Sequence, residues 1–155
     1  MTELAIRPVP YRSPEAVRLV RAALADLAQR YGGEGDATPV DPAQFAPPSG
    51  VFLVAWLDGR PVGCGGWRTS PGDPDAAEVK RMYTEPGARG RGVARAVLGA
   101  LEEAARAAGR KRMILETGTR QPEAIALYLA AGYGRIPDFG HYQGEPGVRS
   151  FGRDL

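Results

Sequence analysis

A glycine-rich segment, Arg89–Ala94, constrains the fold of this chain more than any other stretch; its sequence is Arg-Gly-Arg-Gly-Val-Ala. It follows a segment with the composition of a β-strand and precedes one whose apolar residues recur at helical spacing. A turn of this kind points several backbone N–H groups into one concavity at the positive end of the helix dipole, where pyrophosphate can bind. The sequence therefore predicts an α/β domain with an anion-binding turn, the alternative being an ordinary glycine-rich connection.

The rest of the chain alternates between strand and helix patterns. Helices are predicted at residues 14–31, 92–108 and 122–131, and strands at 4–9, 51–57, 62–69, 77–84, 113–117, 133–136 and 148–155. A single helical turn is expected near 41–45. In the fourth strand Val79 and Met82 lie three positions apart instead of two, which indicates a bulge with one extra residue. No linker or repeat interrupts these elements, so residues 1–155 are expected to form one domain.

The composition excludes several classes of protein. A net charge of +2, from 20 basic and 18 acidic residues, gives no indication of a nucleic-acid or membrane partner. Cys64 is the only cysteine and His141 the only histidine, so neither a disulfide framework nor a metal site is expected, and Cys64 is expected to be a small buried residue. The chain shows no signal-peptide pattern, and its longest apolar run, 51–57, is too short to span a bilayer. We expect a cytoplasmic enzyme or binding module.

Two familiar phosphate-binding turns do not match the glycine-rich segment. A Walker turn needs a Gly-Lys-Ser or Gly-Lys-Thr ending, which the chain lacks. A dinucleotide-binding turn needs Gly or Ala three residues after Gly92, where Arg95 stands. Arg89, Gly92 and Ala94 instead match the pattern Arg/Gln-x-x-Gly-x-Gly/Ala. Together with the strand before it and the helix after it, residues 78–98, the segment resembles motif A of the GNAT family of N-acetyltransferases.

The segment Gln121–Tyr133 resembles motif B of the same family, whose pattern is Asn-x-x-Ala-x-x-Leu-Tyr-x-x-x-Gly-Phe. The matching residues are Ala124, Leu127, Tyr128 and Gly132. Gln121 stands where the family usually has Asn, and Tyr133 stands where it usually has Phe. The resemblance, which covers nearly the whole chain, implies an α/β single-domain GNAT-like fold: a mixed, mostly antiparallel central sheet with a splayed pair of strands and flanking helices.

The resemblance also implies a cosubstrate and the residues that bind it. Members of the family transfer an acetyl group from acetyl-CoA to an amine, so the partners implied are acetyl-CoA and an amine acceptor that the sequence does not identify; a homodimer is left open. The cofactor-binding residues implied are Met82, Tyr83, Thr84, Arg89, Gly90, Arg91, Gly92, Val93, Ala94, Arg95 and Gln121. A backbone N–H at Met82 or Tyr83 is expected to face the thioester carbonyl.

Three side chains are catalytic candidates for proton transfer. By the resemblance, Tyr128 is expected to protonate the CoA thiolate, although its place on a helix also suits packing. Glu78 is the first choice for the base that takes a proton from the amine, and Glu116 is the second. Either glutamate could instead pair with Arg81 or Arg112, and water could replace a dedicated base.

The acceptor side of the site is expected in two loops, residues 32–49 and 138–147. The acidic residues of the first loop are Glu34, Asp36 and Asp41. These carboxylates suggest a cationic acceptor or are simply solvated. His141, in the second loop, lines the acceptor pocket or lies in solvent. The rival functions are a module that binds acyl-CoA without turnover, as a sensor or scaffold, and a structural dimerisation protein.

Overall fold

The structure is a computed structural model that describes residues 3–155. The helices are α1 (Pro14–Tyr31), α2 (Val93–Ala107) and α3 (Pro122–Ala130), with short 3-10 helices at Pro42–Phe45 and Pro86–Ala88. The strands are β1 (Leu4–Pro8), β2 (Gly50–Leu57), β3 (Arg60–Ser70), β4 (Asp73–Thr84), β5 (Arg112–Gly118), β6 (Gly134–Arg135) and β7 (Val148–Asp154). Every predicted helix and strand is present, whereas the 3-10 helix at Pro86–Ala88 was not predicted.

Local capping chemistry fixes the start of the first long helix. The Ser13 hydroxyl accepts a hydrogen bond from the Ala16 N–H at 3.3 Å, and Pro14 occupies the first helical position. Both features are typical of helix N-termini. The hydroxyl accepts from an N–H that has no partner within the helix, and the N–H that proline lacks would have no such partner at this position either. The helix ends at Gly32, which adopts a φ of +83°.

The seven strands form one sheet in the order β1-β2-β3-β4-β5-β7-β6. Every neighbouring pair is antiparallel except β4 and β5, which run parallel. This topology confirms the predicted mixed, mostly antiparallel sheet. None of the helices among residues 3–155 has the length and apolar character needed to cross a membrane.

The parallel pair is splayed. Strands β4 and β5 pair only at their beginnings, and the last matched pair is Glu78 with Ile114. Beyond that pair, β4 continues to Thr84 and β5 to Gly118 without further pairing between them. A V-shaped opening therefore forms inside the sheet, between two strands that keep their other partners.

A bulge in β4 confirms the irregularity predicted from Val79 and Met82. Cys64 pairs with Tyr83 and Gly66 pairs with Lys80, so a step of two residues in β3 opposes a step of three in β4. Arg81, inside the bulge, has a φ of +64°, a conformation uncommon for a residue with a side chain. The extra residue breaks the alternation of side chains between the two faces of the strand.

Helices pack on both faces of the sheet. In β2, Phe52 and Val54 belong to the apolar cluster around α1, whereas Leu53 and Ala55 belong to the cluster around α2 and α3. Gly65 lets α2 approach the strand closely, since a Cβ there would lie 3.1 Å from the Val97 Cγ1 and 3.3 Å from the Leu101 Cδ1. The two clusters hold the sheet rigidly between layers, with the splayed opening at one end.

Candidate active site

A cavity of about 820 Å³ fills the opening between β4 and β5. The end of α1, the start of α2, α3 and both predicted acceptor loops contribute to its walls. All the predicted site residues line this cavity except Glu78 and Arg91. A second cavity, of about 730 Å³, lies around Arg112 and Arg135 and is lined by none of the predicted site residues.

The glycine-rich turn forms one end of the large cavity. Gly90 and Gly92 have φ values of +79° and +78°, and Gly92 is the N-cap of α2 without any side-chain cap. A Cβ on either glycine would meet no atom within 4 Å, so the backbone conformation, not the space, requires glycine there. Arg89 lies beside the turn and donates its Nε–H to the Thr84 carbonyl at 3.0 Å. An uncapped helix start with adjacent arginines has the chemistry of a pyrophosphate site.

The free edge of β4 forms the middle of the cavity. No strand pairs with Met82–Thr84 on the β5 side, and the Thr84 Oγ1 is buried without a hydrogen-bond partner among residues 3–155. Buried polar groups are normally hydrogen-bonded, so this edge suits an extended ligand that carries amide groups. Gln121 lies across the opening, where its Oε1 accepts a hydrogen bond from the Tyr31 hydroxyl at 3.2 Å.

Tyr128 reaches the cavity from α3. Only 5% of the residue is exposed, and its ring lies 5.7 Å from that of Tyr133, between centroids. Burial, the sole cause acting on the group, raises the pKa of the Tyr128 phenol above its ordinary value. The hydroxyl therefore stays protonated at neutral pH and can donate a hydrogen to a group in the cavity.

The structure separates the two glutamates that were candidates for the base. Glu78 is 1% exposed and lies outside the cavity, where its Oε1 pairs with the Arg68 Nε at 3.1 Å. Glu116 lines the cavity; its Oε2 accepts a hydrogen bond from the Tyr142 N–H at 3.2 Å, and its Oε1 is buried without a partner among residues 3–155. Glu78 is therefore not supported as the first choice for the base, because its carboxylate is buried and paired with the Arg68 guanidinium.

Burial sets the protonation behaviour of Glu116. Desolvation raises the pKa of its carboxyl group, partly offset by the Tyr142 hydrogen bond and the charge of Lys80. The carboxylate is also tightly placed, since a Cβ on Gly140 would lie 2.3 Å from the Glu116 Oε1. A carboxyl group with a raised pKa, on a residue that lines the cavity, is suited to accepting a proton.

A charged cluster that was not predicted lies beside Glu116. Asp36, from the loop after α1, accepts hydrogen bonds from Lys80 Nζ at 2.9 Å, Arg81 Nη1 at 2.5 Å and the Tyr142 hydroxyl at 3.0 Å. Burial raises the pKa of Asp36, but the charge of Lys80 and hydrogen bonds from Thr38 and Lys80 outweigh it and lower the pKa below its ordinary value. Asp36 is thus an ionised partner of two cations.

A family model described as the acetyltransferase (GNAT) family matches residues 20–133. The chain belongs to this family. An IAA acetyltransferase of Azospirillum brasilense is 40% identical to this GNAT protein over 130 residues, which cover 84% of each chain. YjgM of Escherichia coli strain K12, an uncharacterized N-acetyltransferase, is 33% identical over 133 residues, covering 80% of this chain and 77% of its own. The protein is therefore an acyltransferase enzyme.

Solved structures agree with this assignment. A proposed acyl-CoA N-acyltransferase of Klebsiella pneumoniae superposes with a TM-score of 0.81 at 30% identity, covering 98% of this GNAT protein and 97% of its own chain. A GNAT acetyltransferase of Staphylococcus aureus superposes with a TM-score of 0.76 at 16% identity, covering 97% and 99%, and shows the shared fold. GNAT acetyltransferases use acetyl-CoA as cosubstrate, and the open glycine turn and free β4 edge fit its pyrophosphate and pantetheine.

Three further candidates of this GNAT protein, His141, Cys64 and Asp41, lie away from the cavity, whereas Glu34 lines it. His141 is exposed and its ring contacts that of Tyr142, with centroids 4.8 Å apart. Cys64 is fully buried, as predicted; its Sγ donates to the Arg81 carbonyl at 3.2 Å, and burial raises the pKa of the thiol to about 12. Asp41 caps the 3-10 helix at Pro42–Phe45. Residues 3–155 contain no group of three or more His, Cys, Asp or Glu side chains that could hold a metal ion.

Proposed function

We propose that the protein moves an acetyl group from acetyl-CoA to an amine by direct attack, with both substrates bound together. The observation that carries this proposal is the single cavity that joins the glycine turn, the free edge of β4, Tyr128 and Glu116. Acetyl-CoA supplies the acetyl thioester. The register of the parallel pair places Glu116 level with Lys80, two residues beyond the last matched pair, where the strands begin to separate.

Glu116 would act as the base. An alkylamine with a pKa near ~10 arrives protonated at neutral pH, so it must lose one proton before its nitrogen can attack. The Glu116 carboxylate can take that proton directly or through water, and its raised pKa strengthens it as an acceptor. The nitrogen–carbon bond then forms, the nitrogen releases its second proton to water, and the carbon–sulfur bond breaks. Water returns a proton to Tyr128 once that residue has protonated the sulfur.

Tyr128 would protonate the departing thiolate, and the β4 backbone would stabilise the negative charge that develops on the carbonyl oxygen. The Tyr128 hydroxyl donates its hydrogen toward the sulfur as the carbon–sulfur bond breaks, so that the products are an amide and a thiol. A backbone N–H at Met82 or Tyr83, on the free edge, would donate to the carbonyl oxygen. Such a donor is typically worth ~3 kcal/mol of the barrier.

The position of Cys64 supports direct attack rather than a covalent acetyl-enzyme. The chain has one cysteine, and its thiol is fully buried, hydrogen-bonded to a backbone carbonyl and absent from the cavity walls. A raised thiol pKa also leaves little thiolate at neutral pH, and the thiolate is the nucleophile. Cys64 therefore lacks both the access and the charge for acetyl transfer.

The test is thiol release from acetyl-CoA in the presence of a panel of amines, amino acids and peptides. Direct attack predicts initial rates that fit intersecting double-reciprocal lines, and Cys64→Ala should retain the rate of the wild type. Parallel lines together with an inactive Cys64→Ala variant would contradict direct attack. Stabilisation of the protein by CoA without thiol release from any acceptor would identify a binding module instead.

A further inference from the structure

The bulge in β4 brings two cations to the same side of the strand. Neighbouring residues of a regular strand point to opposite faces, so Lys80 and Arg81 would normally be separated by the sheet. Here both side chains contact the same oxygen, Asp36 Oδ2, and both residues line the large cavity. Two positive charges therefore meet one negative charge at the place where β4 and β5 separate.

The hydrogen bonds of the cluster leave donors free. Lys80 Nζ contacts Asp36 and the Thr38 hydroxyl, which uses two of its three hydrogens. Arg81 donates from Nε to the Tyr11 hydroxyl and from Nη1 to Asp36, and neither contact uses Nη2. The side chains are only 7% and 5% exposed, so solvent compensates their charges poorly.

The charge balance at the bulge points to an anion. Asp36 offsets one of the two cations, and Glu116 is the carboxylate level with Lys80 on the facing strand. When Glu116 takes the proton of the amine, it becomes neutral and one positive charge on the Lys80–Arg81 pair is left without a partner. A buried charge is stable only when paired, so the ligand itself can supply the missing negative charge.

We propose that the acceptor is an amine that also carries a carboxylate, with the carboxylate bound by Lys80 and Arg81 and the amine facing Glu116; the inference rests on the proposed function. Glu116 and Lys80 lie level across the opening, so a molecule with both groups a few bonds apart can reach both. A free ammonium and a planar guanidinium suit a carboxylate well. Asp36, from the 32–49 loop, does not favour a cationic acceptor, because it is already paired with two cations.

The experiment compares matched acceptors that differ only in charge. Thiol release is measured with L-amino acids and with the carboxamide of each one, at a pH where the amines of both members are protonated, and kcat/KM is compared without correction. The best pair should favour the carboxylate by ~10-fold or more, since one salt bridge or charged hydrogen bond easily exceeds that ratio. Lys80→Gln and Arg81→Gln should each bring the ratio toward one, while Lys80→Arg should preserve it. The ratio is insensitive to how much of a variant is folded.

A second arm does not need turnover. The CoA-saturated protein is titrated by calorimetry with N-acetylated amino acids and their carboxamides, and the carboxylates should again bind ~10-fold more tightly. Selective binding without thiol release would sustain the carboxylate site and refute the catalytic proposal. The inference would be overturned if the N-acetylated amino acid and its carboxamide bound with equal affinity, if neither bound, or if turnover favoured the carboxamides.

Discussion

Replacing Tyr128 with phenylalanine should separate catalysis from stability. The substitution removes one hydroxyl group and keeps the ring, which packs 5.7 Å from that of Tyr133. Burial raises the pKa of this phenol, and no hydrogen bond or charge from the described residues 3–155 contributes to the shift. Removing a desolvated hydroxyl of this kind should leave the free energy of unfolding unchanged within ~1 kcal/mol.

The effect of Tyr128→Phe on turnover should be far larger. A positioned proton donor typically contributes ~100-fold or more to the rate, so kcat should fall by about that factor. Affinity for acetyl-CoA should stay nearly constant, because the hydroxyl is assigned to the breaking bond and not to the bound ground state.

Tyr133→Phe is the matched control on the neighbouring ring. The Tyr133 hydroxyl donates to the buried carboxylate of Glu102 at 2.8 Å, a contact that Arg153 at 3.1 Å only partly replaces. Its loss should cost ~1–3 kcal/mol of stability. At ~2–4 °C for each kcal/mol in a chain of this size, the melting temperature should fall measurably. Turnover per folded molecule should stay near that of the wild type, because Tyr133 does not line the cavity.

Thermal melts and thiol-release kinetics on the two variants test whether the Tyr128 hydroxyl acts in catalysis or only in packing. The expected pattern is a stable, slow Tyr128→Phe and a less stable, active Tyr133→Phe. A Tyr128→Phe variant with wild-type kcat would return Tyr128 to a packing role. An equal loss of stability in both variants would show that the Tyr128 hydroxyl has a structural partner, which would refute the argument from its environment.

Two further predictions concern the turn and the base. Gly92→Ala should lose ~1–2 kcal/mol of stability, because φ is +78° at this position, and it should reduce the stabilisation of the protein by CoA. Gly99→Ala is the control, because a Cβ there meets nothing within 4 Å. This variant should have a higher melting temperature than the wild type and should bind CoA normally. Similar CoA-induced melting shifts in the two variants would contradict the phosphate assignment. In a plot of kcat/KM against pH, Glu116→Gln should shift the acidic side of the curve to higher pH, toward the pKa of the amine, since the free amine then forms only in bulk water. Glu78→Gln should leave the acidic side of the curve where it lies in the wild type. Unchanged pH profiles for Glu116→Gln would remove it as the base.

The cavity walls could be predicted because their signals are local in the sequence. Turn glycines, helical spacing and the order of two motifs predicted that the glycine turn and Tyr128 would share a site, and both line the cavity. The three-residue spacing of Val79 and Met82 predicted the bulge. The choice between Glu78 and Glu116 could not be predicted in the same way. Arg68 lies directly opposite Glu78 in the register of β3 and β4, and counted from the hairpin turn that register depends on a second irregularity, between the pairs Ser70–Asp73 and Thr69–Ala77.

The pairing of Asp36 with two buried cations escaped prediction for a different reason. Asp36 lies in a loop without periodicity, and its partners, Lys80, Arg81 and Tyr142, are more than 40 residues away in the chain. A solvated loop acid and a buried partner of two cations have the same local sequence. Only the path of the loop over the sheet distinguishes them, and that path is set by long-range packing.

One irregularity in β4 links the cosubstrate and acceptor sides of the proposed site. A bulge changes which residues of a strand face each side, and a slip of one residue exchanges the faces of all that follow. Removing the extra residue between Lys80 and Tyr83 would separate Lys80 from Arg81 on opposite faces and would also exchange the faces of Met82–Thr84 relative to the glycine turn. The strained conformation of Arg81, with a φ of +64°, is maintained by its contacts with Asp36 and Tyr11. The cluster that is proposed to bind the acceptor carboxylate therefore also stabilises the backbone geometry on which the acetyl-CoA side depends.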